Sequence, residues 1–235
     1  MQQDPDIEAL RRDAERGIPA AEYNLGVWNL TAPGEAADYR AALRLFESAG
    51  SKDFAPALSA LGYMHLRGQG VPIDAGRAAE LFRQAAALDF PEASYRLGEL
   101  LATGCGVHRD LQAARAAFRD AARHGHTVAM SQLAYCLSHG IGGDGDPVEA
   151  AQLYVRAAIE GEPRAQCRVA AGYETGDMFP ADPERALVWY LRAGNYGDAR
   201  GACQRLIGAL DPDQVRRAGD AAAAPAVDPG EVGKA

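Results

Sequence analysis

Two turns of the chain contain side chains that can bind transition metals. Cys105 and His108 lie close together, and His124 and His126 flank a single glycine. Thiolate and imidazole are the usual zinc ligands, but structural zinc sites draw them from paired motifs such as CxxC. The sequence has no such pairing. We therefore predict no metal site and expect the histidines to be solvated loop or surface residues.

Residues 140–145, GIGGDG, have the glycine content of a phosphate-binding loop. Such a loop follows a strand and continues into Lys-Ser or Lys-Thr, and neither feature is present here. No Ser-His-Asp or Cys-His arrangement stands in a recognisable catalytic context. We therefore predict that the chain is not an enzyme and uses no cofactor.

Four cysteines could in principle form disulfides: Cys105, Cys136, Cys167 and Cys203. Cys167 and Cys203 hold the same position in successive units of the repeat described next. Packed helices lie about 8–10 Å apart, whereas a disulfide needs Cα atoms within about 7 Å. We predict free thiols, which suits a reducing compartment.

The elements that carry these residues repeat every 36 residues, and this period is the strongest pattern in the sequence. An alanine recurs at Ala21, Ala57, Ala93, Ala129 and Ala165. An aspartate recurs at Asp38, Asp74, Asp110, Asp146 and Asp182. An aromatic residue recurs at Phe46, Phe82, Phe118, Tyr154 and Tyr190. In a repeat array each unit packs only on its neighbours, so the length of the chain reflects the number of repeat units and not the number of globular domains.

The residue pattern of each repeat unit is typical of two helices joined by a turn. Helix A begins at the recurring alanine and ends at glycine, and helix B begins after the recurring aspartate, a favourable N-cap. A Leu-Gly pair in helix A is expected where another helix backbone approaches closely. The predicted segments are a capping helix over 1–20, five repeats over 21–56, 57–92, 93–128, 129–164 and 165–200, a shortened capping repeat over 201–220, and a disordered tail over 221–235.

The sequences ALSALGYMHLRGQGVPIDAGRAAELFRQAA and ASYRLGELLATGCGVHRDLQAARAAFRDAA show the pattern most completely. They resemble the Sel1-like repeat, a relative of the tetratricopeptide repeat. The resemblance covers roughly residues 6–215 and implies an all-α fold, a right-handed α-solenoid of helix-turn-helix repeats. It also implies a scaffold that binds proteins, with the A helices lining a concave face. Many bacterial members are secreted with a disulfide in each unit, and this chain lacks that cysteine pair.

The composition narrows the choice of partner. The formal net charge is −8 and the isoelectric point about 5.2. Nucleic-acid binding depends on Lys and Arg contacts to phosphate. We therefore predict that this acidic chain binds neither nucleic acid nor an anionic membrane surface. The N-terminus lacks the apolar core of a secretory signal, and no apolar run is long enough to span a membrane. We predict a cytoplasmic protein.

One side of helix A carries residues suited to binding a partner. If the recurring alanine is position 1, positions 3, 7 and 10 point away from the apolar side. Units one to four each place a tyrosine at position 3 or 7, and tyrosine is enriched in binding surfaces. The predicted partner-binding residues on the concave face are Tyr23, Tyr63, Arg67, Tyr95, Arg96, Glu99, Tyr135, His139, Arg168 and Glu174.

The tyrosines could instead be packing residues at the edge of the core between helices, and the sequence leaves both readings open. The favoured function is a non-enzymatic scaffold or adaptor that binds a peptide or a partner protein. Two alternatives remain: a module that recruits substrate for an associated enzyme, and an immunity-type inhibitor of a toxic effector. A chain that is itself an enzyme is the least favoured.

Overall fold

The computed structural model describes residues 5–31 and 37–226. Within these ranges the chain forms thirteen α-helices and no strand. The chain divides into two compact units, residues 1–124 and 125–235. Unit 1 contains α1 (Pro5–Glu15), α2 (Pro19–Thr31), α3 (Tyr39–Gly50), α4 (Ala55–Arg67), α5 (Ala75–Ala86), α6 (Pro91–Thr103) and α7 (Leu111–Arg123). Unit 2 contains α8 (Thr127–Ser138), α9 (Pro147–Ile159), α10 (Pro163–Thr175), α11 (Pro183–Ala193), α12 (Ala199–Ala209) and α13 (Pro212–Ala223).

Helices α2, α4, α6, α8 and α10 are the A helices, and α3, α5, α7, α9 and α11 are the B helices. Each A helix begins two residues before the recurring alanine, earlier than the sequence predicts. The alanines at 57, 93, 129 and 165 are therefore already inside a helical turn, and they are fully buried.

The recurring aspartates are N-caps of the B helices, as predicted. The Asp74 carboxylate accepts a hydrogen bond from the backbone N–H of Arg77, and Asp110 does the same for Ala113. Gly104 ends α6 in the left-handed conformation, with φ 77°. These interactions define the starts of α5 and α7 and the end of α6. They are local and do not depend on the packing of one repeat against the next.

The glycine of the Leu-Gly pair leaves room for an aromatic ring. A Cβ at Gly62 would lie 2.8 Å from the Phe82 ring, and one at Gly98 would lie 2.6 Å from the Phe118 ring. The expectation that a helix backbone approaches here is therefore wrong. The recurring glycine and the recurring aromatic residue are two halves of one contact between helix A and helix B.

The C-terminal repeat is short but capped. Asp211 and Gln214 form a reciprocal capping box at the start of α13. Residues 221–223 belong to α13, so the predicted disordered tail begins too early. The Arg192 guanidinium donates to the backbone carbonyls of Ala221 and Ala224 and holds this end of the chain on α11. Residues 227–235 of the predicted tail lie outside the described residues.

Candidate partner-binding surface

The predicted partner-binding residues fall into two groups, one in each unit. Unit 1 contains Tyr23, Tyr63, Arg67, Tyr95, Arg96 and Glu99, and unit 2 contains Tyr135, His139, Arg168 and Glu174. The structure adds residues to both groups. The unit 1 cluster is Tyr63, Arg67, Glu92, Tyr95, Arg96 and Glu99. The unit 2 cluster is Tyr135, Ser138, His139, Tyr154, Arg164 and Arg168.

Arg96 is the centre of the unit 1 cluster. Its guanidinium lies between two tyrosine rings, 5.1 Å from the Tyr63 centroid and 5.0 Å from the Tyr95 centroid. Its Nε donates to Glu92 at 2.8 Å and also to the Tyr63 hydroxyl, and its Nη1 donates to Glu99 at 2.7 Å. Because both neighbouring carboxylates and both rings hold it, this side chain is fixed in position.

The tyrosine hydroxyls complete this network by donating to the carboxylates. Tyr63 donates to Glu92, and Tyr95 donates to Glu99 at 2.8 Å. Burial, followed by the bond to Glu99, raises the pKa of Tyr95 to about 12. Burial and the bond to Glu92 likewise raise the pKa of Tyr63. Both phenols are therefore protonated at neutral pH and act as hydrogen-bond donors.

Arg67 lies at the outer edge of the unit 1 cluster. It is the last residue of α4 and is exposed, with its guanidinium 5.9 Å from the Tyr63 ring. Tyr63 itself is only half-buried and makes an edge-on contact with Phe82. Of the three unit 1 tyrosines in the predicted set, Tyr63 is the one that combines an anchored hydroxyl with a cationic neighbour open to solvent.

Position 3 of the A helices is covered, contrary to the prediction that it points away from the apolar side. Tyr95 retains only 7% exposure, and Ser131 is fully buried. Tyr23 packs against Phe54, with ring centroids 5.7 Å apart. Ser131 donates to Glu162 at 2.6 Å. Phe54 and Glu162 are both the N-cap residue of the following A helix, so the next repeat covers position 3.

Tyr135 is the most exposed tyrosine of the predicted set, at 38%. Its ring stacks on His139 with centroids 4.3 Å apart, and the Arg164 guanidinium lies 5.4 Å from the ring. Arg164 Nη1 donates to the Gln132 side-chain carbonyl at 2.9 Å. Ser138 and the His139 Nδ1 are 2.8 Å apart. The ring thus has two aromatic or cationic neighbours and is still open to solvent.

Tyr154 of α9 lies beneath these residues. Burial raises the pKa of its hydroxyl, and the nearby Ser138, Arg164 and Arg168 oppose that rise. Arg168 lies 5.9 Å from the Tyr154 ring and pairs with Asp177 at 2.9 Å. Arg164 and Arg168 stand one helical turn apart on α10, so the two arginines lie on the same side of that helix.

Glu174 takes part in a different group of contacts. It accepts a hydrogen bond from the Tyr190 hydroxyl at 2.9 Å and lies 3.5 Å from Arg205. Burial and this bond raise the pKa of Tyr190. These partners belong to α11 and α12, so the structure places Glu174 with the C-terminal helices of unit 2.

Two residues that the sequence analysis missed decide the charge of the clusters. Glu92 in α6 and Arg164 in α10 both stand immediately before the recurring alanine. Helix A positions were counted from that alanine, so the residue before it received no position. A comparison of this residue between repeats would have identified both side chains, because it is acidic in one repeat (Glu92) and basic in another (Arg164).

A cleft of about 1020 Å³ opens in unit 2 beside this cluster. One wall is the apolar side of α9, with Val148, Ala151, Val155 and Ile159 at helical spacing. The opposite wall is the loop after α10, and Ser138 and Arg168 line the cleft as well.

The loop has lost the glycine that closes the corresponding space elsewhere. In unit 1 a Cβ at Gly106 would collide with the backbone of Ala75 and Gly76, at the start of the preceding B helix. Met178 stands at the position of Gly106 in the repeat, and it packs on Gly172 instead. Phe179 stacks on Tyr173 with centroids 4.6 Å apart.

The described residues contain no group of three or more His, Cys, Asp or Glu that could hold a metal ion. In residues 5–31 and 37–226, no helix combines the length and the apolar character that crossing a membrane requires. Cys105, Cys167 and Cys203 are free thiols, and burial raises the pKa of Cys167 and Cys203.

The Sel1 repeat family matches this chain five times in succession. The matched residues are 19–54, 55–90, 91–126, 127–162 and 163–198. The chain belongs to the Sel1 repeat family. The Sel1 repeat has an α-solenoid fold, and it generally serves as a non-catalytic scaffold in protein interactions. A comparison with curated proteins returned no match.

Solved structures agree with this Sel1 assignment. A Sel1 repeat protein from Oxalobacter formigenes is 31% identical, with a TM-score of 0.76, and the match covers 88% of this chain and 87% of that one. A protective antigen of uropathogenic Escherichia coli is 24% identical with a TM-score of 0.76, over 91% of this chain and 48% of that one. An immunity protein from Pseudomonas aeruginosa is 18% identical with a TM-score of 0.52, over 91% and 85%, and this similarity shows the fold alone.

Proposed function

We propose that this Sel1 repeat chain is a non-enzymatic scaffold that binds a peptide or a partner protein through its A helices. The contact residues are the exposed members of the unit 1 cluster and the unit 2 cluster. Recruitment of an enzyme's substrate and inhibition of a toxic effector would both use this surface. The identity of the captured partner distinguishes those roles.

The observation that carries the proposal is the state of Tyr135. A tyrosine needed only for packing would be covered, as Tyr95 is at 7% exposure. Tyr135 keeps 38% exposure while its ring contacts His139 and lies 5.4 Å from the Arg164 guanidinium. A rigid, amphipathic ring presented to solvent loses little entropy when a partner covers it.

The test is capture of a partner from a lysate of the native cells, with the full chain as bait. The double variant Tyr63→Ala/Tyr135→Ala removes the more exposed tyrosine of each cluster. We expect the amount of specific partner recovered to fall roughly tenfold or more, which corresponds to the loss of one interface hot spot.

A matched control is the double variant Tyr39→Ala/Tyr196→Ala. These tyrosines are 37% and 45% exposed, lie one in each unit and belong to neither cluster. The control should capture the partner at the wild-type level, and thermal melts by circular dichroism should show that both variants fold. Undiminished capture by Tyr63→Ala/Tyr135→Ala would refute the proposed surface.

A further inference from the structure

The cleft in unit 2 has the walls of a site for an aliphatic side chain. Val148 on α9 is 66% exposed, and Val155 and Ile159 continue the same apolar side of the helix. Met178 and Phe179 face them from the loop. The cleft has a volume of about 1020 Å³, and an apolar group that covers these side chains removes apolar surface from water and so gains free energy.

Arg164 supplies a positive charge that no neighbour neutralises. Its Nη1 donates to Gln132, a neutral side chain, and the tyrosine ring at 5.4 Å fixes its plane. In the described part of the chain, no carboxylate lies within ion-pair distance of it. Glu162, two residues earlier, accepts from Ser131 and from the first backbone N–H groups of α10. The remaining N–H groups of Arg164 are therefore available to a partner.

The guanidinium and the cleft adjoin one another. Ser138 and Arg168 line the cleft. Arg168 stands one helical turn after Arg164 on α10. Ser138 lies 2.8 Å from His139, whose ring lies against Tyr135, and Arg164 faces that same tyrosine. A chain segment seated in the cleft would therefore pass this guanidinium within one or two residues.

We infer that the unit 2 cleft binds a segment of a partner protein in which an aliphatic residue is followed or preceded closely by Asp or Glu. The aliphatic side chain enters between α9 and the 176–182 loop, and the carboxylate pairs with Arg164. This inference rests on the proposed function, since it names the chemistry of the partner for one part of the proposed surface.

The balance of charge favours a carboxylate over a phosphate. Asp177 already neutralises Arg168 at 2.9 Å, and Asp182 pairs with Arg185 at 3.3 Å on the rim of the cleft. Arg156 and Glu160, which also line the cleft, carry opposite charges, so Arg164 supplies the surplus positive charge at this site. One surplus guanidinium matches one negative charge and the planar, two-oxygen shape of a carboxylate. A phosphate dianion would meet the same single guanidinium and also the Asp177 carboxylate.

The test is selection of a random-peptide library displayed on phage against the full chain, immobilised through a terminal tag. We expect the enriched peptides to share an aliphatic residue with Asp or Glu one or two positions away. The same selection is then made with Arg164→Glu, which places at this position the residue type that unit 1 has at Glu92. The acidic preference should disappear with this variant.

The binding constant of the best peptide, labelled with fluorescein, is then measured by fluorescence polarisation. Arg164→Glu should weaken binding roughly tenfold or more, since a hydrogen bond to a charged group is lost and a repulsion replaces it. Val148→Thr, which keeps the shape but makes the wall polar, should weaken binding by a smaller factor, about threefold.

The control is Arg83→Glu, which changes the charge of the chain by the same amount at an exposed position on α5 in unit 1. It should bind the peptide as the wild type does. If no peptide is enriched on the wild-type chain, peptide binding itself, and with it the proposed function, is in doubt. If peptides are enriched but lack an acidic residue, or bind Arg164→Glu unchanged, the scaffold role stands and this assignment is wrong.

Discussion

The same repeat positions carry different chemistry in the two units. Tyr63 in unit 1 and Tyr135 in unit 2 are equivalent. The residue that precedes the recurring alanine of the next A helix is Glu92 beside Tyr63 and Arg164 beside Tyr135. Further equivalent pairs are Arg67 with His139, Arg96 with Arg168, Glu99 with Ala171, and Phe82 with Tyr154.

In unit 1 these groups satisfy one another. Two carboxylates, one guanidinium and two phenols form a closed set of hydrogen bonds around Arg96. In unit 2 the acidic members are replaced, and Arg164 retains open donors. Equivalent positions of the repeat therefore form a self-contained polar network in unit 1. In unit 2 they form a site with unused hydrogen-bond donors.

The largest expected difference between the units concerns their central arginines. Arg96→Ala removes the guanidinium shared by Glu92 and Glu99, whose side chains are 34% and 36% exposed. We expect the free energy of unfolding to fall by about 2 kcal/mol, because two carboxylates then share a partly buried site with no cation between them. Urea denaturation followed by circular dichroism measures this change.

The equivalent change in unit 2 is Arg168→Ala. Asp177, its ion-pair partner, is 51% exposed and can return to water. We expect a loss below about 1 kcal/mol by the same urea measurement. Equal losses for Arg96→Ala and Arg168→Ala would contradict the view that only the unit 1 cluster is a closed network.

Exchange of the distinguishing residues tests the comparison directly. Glu92→Arg puts a second cation beside Arg96 and should reduce the free energy of unfolding by about 1 kcal/mol. Arg164→Glu instead creates an acidic residue four positions before Arg168, in the first turn of α10. It should therefore change stability by less than about 0.5 kcal/mol.

The outcome is read from urea midpoints of the two single variants, with Arg83→Glu as a charge-matched reference. A strong loss for Arg164→Glu would mean that Arg164 is needed for the fold of unit 2. It would then be unsuitable as an open site for a partner.

High pH should affect the unit 1 network. The pKa of Tyr95 is about 12 in the folded chain against 10.0 for a free phenol. The folded state therefore binds this proton more tightly, so its stabilising contribution is complete below pH 10 and is lost between about pH 10 and 12. Relative to Tyr95→Phe, the wild type should lose about 1 kcal/mol by pH 11. Parallel pH curves for the two proteins would refute this assignment.

The smallest expected effect lies in unit 2 at low pH. Hydrogen bonding to Arg168 holds the pKa of Asp177 below its ordinary value of 3.8. Stability from this carboxylate is therefore present above that value and lost as pH falls through and below it. Asp177→Asn should be less acid-sensitive than the wild type by about 0.3 kcal/mol, because the pair is largely exposed. Thermal melts between neutral pH and pH 3 measure the difference.

The fold followed closely from the sequence, and the site did so only in part. Asp74 and Gly104 could be placed at helix ends because caps depend on a few adjacent residues. Tyr63, Arg96 and Glu99 were selected for their chemistry, and the structure joins all three in one network. Glu92 and Arg164 were missed because they stand just before the alanine from which helix A was counted. Their contacts with Tyr63 and Gln132 join residues about 30 apart in sequence, which helix periodicity does not predict.

The sequence by itself determined the 36-residue period, the alternation of A and B helices, and their caps, because hydrogen bonds within a turn and apolar spacing along a helix are local. Only the tertiary structure decided which side of each A helix is covered. Stacking of the next repeat buries position 3, as at Ser131 and Tyr95. It also decided that a cleft lined by Met178, in place of a glycine, opens beside Ser138 and Arg168, because that depends on how a loop meets the preceding B helix.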